Sequence, residues 1–304
     1  MQLLKTLCAI QAPSGNEGAM TDFLLDHIKK NMNRWKTKPQ IFSGDGFQNC
    51  IVLVFGKPRT AVFAHIDSIG YTVRYKNQLV KIGGPGAETG TFLLGEDSMG
   101  KIECSLVNDK SETKLFCKFN REIERGTTLT YKPVFKENKE FVQCCYLDNR
   151  LGVWNALELC ETITDGAIAF SCWEEHGGGT AGFLARFLYE KYNVSKALIS
   201  DITWITEGVH HGNGVVISLR DTGIPRKIFV DQILAHAKES GIPFQTEVEG
   251  SGGSDGTEIQ KIPYPIDWCF IGAPEDNVHT PAEKVHKKDI ESMVNLYRYL
   301  LEKL

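Results

Sequence analysis

Five short stretches of the chain set histidine and carboxylate side chains beside apolar runs. His65-Ile66-Asp67 closes one such run, and Asp148-Asn149-Arg150 precedes a helical stretch. Glu174-Glu175 follows another run, Asp201 comes directly after Ala197-Leu198-Ile199-Ser200, and His279-Thr280-Pro281-Ala282-Glu283 lies beyond a third. Imidazole nitrogen mixed with carboxylate oxygen is the donor set of hydrolytic metal centres, zinc above all, and needs no cysteine. Adjacent carboxylates allow one to bind metal while its neighbour moves protons. Each stretch also has a plainer role. A histidine satisfied by hydrogen bonds in or near the core is commoner than a ligand, and Asp148 before a helix reads first as a cap. Glu174-Glu175 suits a solvated turn, and Asp201 a turn or cap. The weight lies in the set.

These residues need a scaffold that brings strand ends together. A helix over 16–32 is expected from Met20, Phe23, Leu24 and Ile28, with Ser14 and Glu17 at capping-box spacing. The runs 50–55 and 60–65, separated by Gly56-Lys57-Pro58-Arg59, read as strands of a buried sheet. From 74 to 143 short alternating strands are punctuated by Gly83-Gly84-Pro85-Gly86, Gly90, Gly95 and Gly100, which predicts a separate β module. Helices and strands then alternate: helix 149–161, strand 167–172, helix 180–192, strand 197–200, strand 214–219, a helix from Arg226 to Gly241, strand 267–271 and a last helix from Asp289. Ile290, Met293, Val294, Tyr297, Leu300, Leu301 and Leu304 stripe that helix. The expected architecture is one α/β domain, 1–73 and 144–304, interrupted by a β-rich insertion at 74–143. Open α/β sheets place ligands at the carboxyl ends of their strands, where these motifs fall.

Composition narrows the function classes. Hydrophobic residues make up 42% and charged residues 24%, and a net charge of -4 with mixed signs gives no field for nucleic acid or anionic lipid. No run reaches the roughly 18 apolar residues of a membrane span. No signal peptide is evident at the start of the chain. Nine scattered cysteines, none spaced Cys-x-x-Cys, fit reduced thiols in the cytoplasm.

In this order, His65-Ile66-Asp67-Ser68-Ile69-Gly70, Asp148-Asn149-Arg150, Glu174-Glu175-x-Gly, Asp201 and His279-Thr280-Pro281-x-Glu283 resemble the glutamyl or deblocking aminopeptidases, also called tetrahedral aminopeptidases. The resemblance implies a zinc-exopeptidase fold, a mixed central sheet with helices on both faces, and a dimerisation role for the insertion. It implies two divalent metal ions per chain, zinc with cobalt or manganese as alternatives. His65 and Asp201 would hold one ion, Glu175 and His279 the other, and Asp148 would bridge them. Glu174 would be the general base and Asp67 the orienter of His65. The substrates would be peptides, cut at the amino end, and the chain a homo-oligomer, dimer or larger. Two positions depart from the family pattern: His176-Gly177-Gly178-Gly179 after the paired glutamates, and Ser68 at a frequently acidic position.

Asp255, within a glycine-serine stretch, resembles a loop near the substrate, with a flexible turn as the alternative, and His210 could reach the pocket, with an exposed loop as the favoured alternative. A deacylase or carboxypeptidase would use nearly the same ligands. A glycoside hydrolase (glucanase) could use the paired carboxylates but leaves the histidines without a role. A non-catalytic binding protein of the same fold has no need of the full set of ligands and base.

Overall fold

A computed structural model describes all 304 residues. The chain opens with α1 (Gln2–Cys8), α2 (Gly18–Asn31), β1 (Gln40–Gly44), β2 (Gln48–Phe55) and β3 (Thr60–His65). Six strands follow: β4 (Gly70–Val73), β5 (Gln78–Ile82), β6 (Phe92–Asp97), β7 (Gly100–Asp109), β8 (Lys114–Lys118) and β9 (Thr128–Tyr131). They close a small barrel in the order β4-β5-β8-β7-β6-β9. After β10 (Lys136–Glu137) and β11 (Phe141–Gln143) come α3 (Leu147–Cys160), β12 (Gly166–Ser171), α4 (Ala181–Tyr192), β13 (Lys196–Trp204) and β14 (Val215–Ser218). The chain ends with α5 (Lys227–Ser240), β15 (Phe244–Glu247), α6 (Asp255–Lys261), β16 (Asp267–Asp276), β17 (Lys284–His286) and α7 (Lys287–Lys303).

The large sheet is mixed and has eleven strands, in the order β1-β2-β12-β3-β13-β16-β17-β11-β10, with β14 and β15 branching from β16. Its centre is parallel: β12 with β3, β3 with β13, and β13 with β16. Four carboxyl ends therefore meet along one edge of the sheet. Every residue of β3 and of β12 is buried, as expected of strands covered on both faces. Helix α3 packs with α1 and α7, α4 packs with α6, and both groups touch β3 and β13. The stripe along α7 is the face it buries. All nine cysteines are buried and free. No helix is long and apolar enough to cross a membrane.

Several details differ from the sequence reading. The barrel starts at Gly70 and ends at Tyr131, so it is narrower at its carboxyl side than 74–143, because β10 and β11 pair through β17 into the large sheet. The strand expected to stop at Ser200 runs to Trp204, because Ile202, Thr203 and Trp204 keep pairing with Ala273, Pro274 and Glu275 of β16. Ser14 and Glu17 form no capping box. Ser14 donates to Asp67, and Glu17 accepts from the Gly15 N–H and from Asn49.

The approach of α3 to β13 sets the depth of the site. At Gly152 an added Cβ would stand 2.1 Å from the Ser200 carbonyl oxygen and 2.2 Å from Asn149 Oδ1. Gly152→Ala is expected to destabilise the fold by about 1–3 kcal/mol, the usual cost of overpacking. A lowered urea midpoint with an unchanged slope is the expected readout. An unchanged midpoint would mean that the helix is free to move off the strand.

Candidate active site

His65, Glu174, Glu175 and His279 sit at a strand end or in the loop after it, whereas Asp201 lies inside a strand and Asp148 at the start of α3. His65 ends β3 and is registered against Ser171, the last residue of β12. The turn after β12 carries Trp173 in a left-handed conformation, φ 61°, and then presents Glu174 and Glu175. Asp201 lies within β13, and His279 sits in the loop after β16 with φ 64°. Asp148 is no cap. Its φ and ψ of -78° and 104° are non-helical, and its carboxylate faces two imidazoles instead of the first turn.

Two clusters result, and they share Asp148. In one, His65 Nε2 lies 3.3 Å from Asp148 Oδ1 and 3.6 Å from Asp201 Oδ2. In the other, His279 Nε2 lies 3.3 Å from Asp148 Oδ2 and 3.1 Å from Glu175 Oε2. Within each trio the donor atoms lie within 4.8 Å of one another, close enough to ligate one ion. Glu174 stands apart from both trios, with Oε2 3.9 Å from His65 Nε2. The fit to cations is chemical as well as geometric. Three carboxylates and two imidazoles converge in the trios, and Glu175 Oε1 is buried without any hydrogen-bond partner. Cysteine takes no part.

Charge is crowded here. Burial lowers the affinity of His65 for a proton, but Asp201, Asp148 and Asp67 outweigh it and hold the imidazole well above its usual pKa. His279 is likewise depressed by burial and then pushed up to about 11 by Asp148 and Glu175. Burial, reinforced by Asp148, raises Glu175 to about 7, and burial pushes Glu174 well above the carboxylate range. Such carboxylates are short of positive charge.

A set of neighbours holds the donors in place. Asp67 accepts from the Ser14 hydroxyl at 2.6 Å and from the Glu174 and Glu175 N–H groups at 3.2 and 3.1 Å, and its Oδ1 lies 3.4 Å from His65 Nδ1. Asn149 donates to the Ser200 carbonyl next to Asp201, and the fully buried Arg150 donates to the carbonyls of Ile66 and Asp67. Glu283 accepts from the N–H of His279 and from that of Asp148, tying the two ligand-bearing segments together. The barrel also reaches in. The Gly86 N–H donates to the His279 carbonyl, Tyr131 Oη lies 3.2 Å from the same oxygen, and a Cβ on Gly84 would sit 3.1 Å from His279 Nδ1.

The sequence pattern of the M42 glutamyl aminopeptidases matches residues 118–296, more than half of the chain. The chain belongs to the M42 glutamyl aminopeptidase family. It is thereby a peptide hydrolase. Solved structures agree in fold. A TET aminopeptidase from a marine sediment Thaumarchaeota archaeon superposes with a TM-score of 0.87 at 16% identity, covering 100% of this chain and 97% of the other. Aminopeptidase APDkam598 of Desulfurococcus kamchatkensis gives 0.84 at 18%, covering 100% and 94%. The TET1 peptidase of Pyrococcus horikoshii, which can assemble into a tetrahedron or a large octahedral shell, gives 0.82 at 21%, covering 100% and 99%.

For this M42 member, the cavity beside the clusters measures about 280 Å³. It is lined by Asp148, Glu174, Glu175, Asp201 and His279, and by neither Asp255 nor His210. Asp255 is buried at the start of α6, where its Oδ2 accepts from the Ser171 hydroxyl. The glycine-rich stretch before it is punctuation for a helix, capped by Ser254. The signal was present in Ser254 followed by Asp255 and Glu258 in a first turn. His210 is exposed, its backbone tied on both sides to Gln245.

The sequence reading also missed the far lining of the cavity: Thr203, Trp204, Ser218, Asp221, Glu247 and Glu249. Glu247 accepts from the Thr203 hydroxyl at 2.7 Å, yet burial lifts its carboxyl from 4.5 to about 7. Between those values the folded chain keeps a proton that the unfolded chain has lost, so stability falls as pH rises through this window. Glu247→Gln should remove that slope. Denaturant titrations from about pH 4.5 to 8 are expected to show the variant gaining on the parent chain as pH rises. Parallel curves would show that Glu247 ionises freely in the fold.

Proposed function

We propose that this chain is a dinuclear metal aminopeptidase. The observation that carries the reading is the pair of donor trios sharing Asp148, with Glu174 beside them and bound into neither. His65, Asp201 and Asp148 would hold one divalent ion, and His279, Glu175 and Asp148 the other. Mixed imidazole and carboxylate ligation suits zinc and leaves cobalt and manganese open. When bound, the two ions would supply Lewis acidity and an acidified water. Glu174 would accept the proton of the attacking water and return it to the leaving amine. Asp67 would hold the imidazole of His65 in the orientation that keeps Nε2 toward the trio.

The two imidazoles that face Asp148, one of them lining the cavity, support this reading over a glucanase, which would have no use for them. Exposed Val80, Phe92 and Met99 on the barrel support self-association through that module, and membership of the M42 family supports peptides as substrates. Nine free, buried thiols support a reducing, cytoplasmic setting.

Metal analysis of the purified protein should find two ions per chain, and His65→Ala should lower occupancy and activity together. Glu174→Gln should keep both ions while kcat on an unblocked aminoacyl substrate falls by about 10² to 10⁴. Near-normal turnover with both ions bound would remove Glu174 from the role of base. Light scattering is expected to give a species at least twice the mass of the chain, and a monomer at micromolar concentration would remove the barrel from its role in assembly.

A further inference from the structure

The cavity has a second wall, built from elements that carry none of the clustered donors. Glu247 ends β15, Asp221 follows β14, and Glu249 lies in the loop leading to α6. All three line the same cavity as Glu174 and His279, and no lysine or arginine lines it. Glu247 is 6% exposed and Asp221 9%. Asp221 is engaged by the Gly223 N–H and the Ser254 hydroxyl, so it supplies charge from a fixed position. Glu247 accepts the Thr203 hydroxyl at 2.7 Å. Ser218, 2% exposed, lines the cavity and is registered against Glu247, and its hydroxyl, close enough to lower the Glu247 carboxyl, completes no well-formed hydrogen bond. A buried hydroxyl without a partner is costly unless something else completes it.

Trp204, Phe270 and Val278 line the cavity as well, and suit the methylene stem of a long side chain. We propose that this wall receives the side chain of the substrate's first residue and selects lysine or arginine, the cationic end meeting Glu247 and Ser218 while Asp221 and Glu249 reinforce the negative field. The inference rests on the aminopeptidase reading and names its substrate class. The α-ammonium of the substrate is the other cation such a wall could hold, and geometry argues against it. Thr203 lies two residues beyond Asp201 on the same strand face, about 6.6 Å on, and Glu247 is bonded to Thr203. The α-ammonium is one bond from the α-carbon and stays near the donors, whereas a lysine ammonium on its four-carbon stem reaches further. A glutamyl side chain would meet like charge, which argues for a preference opposite to the one in the family's name.

The test compares lysyl, arginyl, leucyl and glutamyl para-nitroanilides on the metal-loaded enzyme, for the parent chain and Glu247→Gln. Lysyl and arginyl substrates should exceed the other two in kcat/KM by about tenfold or more, the worth of one charge-assisted hydrogen bond. Glu247→Gln should cut the lysyl-to-leucyl ratio about tenfold, chiefly through KM, and Glu247→Asp should restore part of it. Should Glu247→Gln fail to fold, Glu249→Gln at its more open position carries the same comparison. Equal or better cleavage of leucyl or glutamyl substrates by the parent chain overturns the proposal, as does a uniform fall across all four, the signature of an α-ammonium site. Calorimetry with L-lysinamide and L-leucinamide separates the two layers. If no aminoacyl substrate is cleaved, the aminopeptidase reading falls by itself; tighter binding of lysinamide, lost in Glu247→Gln, would still uphold the pocket, and equal binding would overturn it.

Discussion

The constraint on which the structure turns is the burial of many carboxylates at one edge of a parallel sheet. Asp67, Asp148, Asp201, Asp255, Glu275 and Glu283 are all buried there, with Glu174 and Glu175 on the cavity side. Desolvation and mutual repulsion both oppose their ionisation, which is why the carboxyls of Glu174, Glu275 and Glu283 are held well above their ordinary range. Such an arrangement survives only where donors or cations offset the repulsion. The fold provides donors for some of the acids. Asp67 collects a hydroxyl and two backbone N–H groups, and Glu283 collects two N–H groups. For Asp148, Asp201 and Glu175 the facing groups are the imidazoles of His65 and His279, and these three carboxylates and two imidazoles make up the trios. The chemistry of the site thus begins as an unsolved electrostatic problem in the scaffold.

The barrel is part of the solution and not an appendage. It leaves the sheet only a few residues after His65, and the chain rejoins the sheet through β10 and β11 before it reaches Asp148. Its loop at Gly83, Gly84 and Gly86 lies against the rim. The Gly83 N–H donates to His176 Nδ1, Gly84 packs so close that a Cβ there would press on the His279 ring, and Gly86 grips the His279 carbonyl. His279 needs that grip, because a histidine at φ 64° occupies a conformation seldom adopted by residues with a Cβ. Two tyrosines, Tyr71 and Tyr131, place their hydroxyls on the Gly86 carbonyl at 2.5 Å and fix the loop to the barrel itself.

This division of labour explains what could be read from the sequence and what could not. His65, Glu174, Glu175 and Asp201 follow apolar runs, and although each has a plainer role taken singly, their recurrence at successive runs made a shared site legible. The alternation of helix and strand after residue 144 was legible for the same reason, since apolar periodicity reports burial directly. The length of β13 was not, because Thr203 and Trp204 past the charged Asp201 look like the start of a loop until β16 is there to pair with them. The acidic wall was hidden more deeply. Asp221, Glu247 and Glu249 are isolated carboxylates in polar, glycine-containing segments, the pattern of an ordinary solvated loop, and only the parallel pairing of β14 with β15 turns them toward one cavity.

Neighbours in sequence also perform unlike tasks, and the tripeptide after Leu147 shows why. Asp148 turns its carboxylate between two imidazoles, Asn149 holds the carbonyl before Asp201, and Arg150 holds the carbonyls after His65. A regular helix would point the three about 100° apart around one axis, as 3.6 residues per turn requires, and could not serve three partners on different strands. The non-helical conformation of Asp148 and Asn149 breaks that periodicity for two residues before the helix proper begins. The segment therefore links β3, β13 and the loop after β16 through side chains instead of backbone pairing. A change at Asn149 or Arg150 would move donors on strands that neither residue belongs to, so the spacing between the two trios is set by a segment of which only Asp148 joins either one.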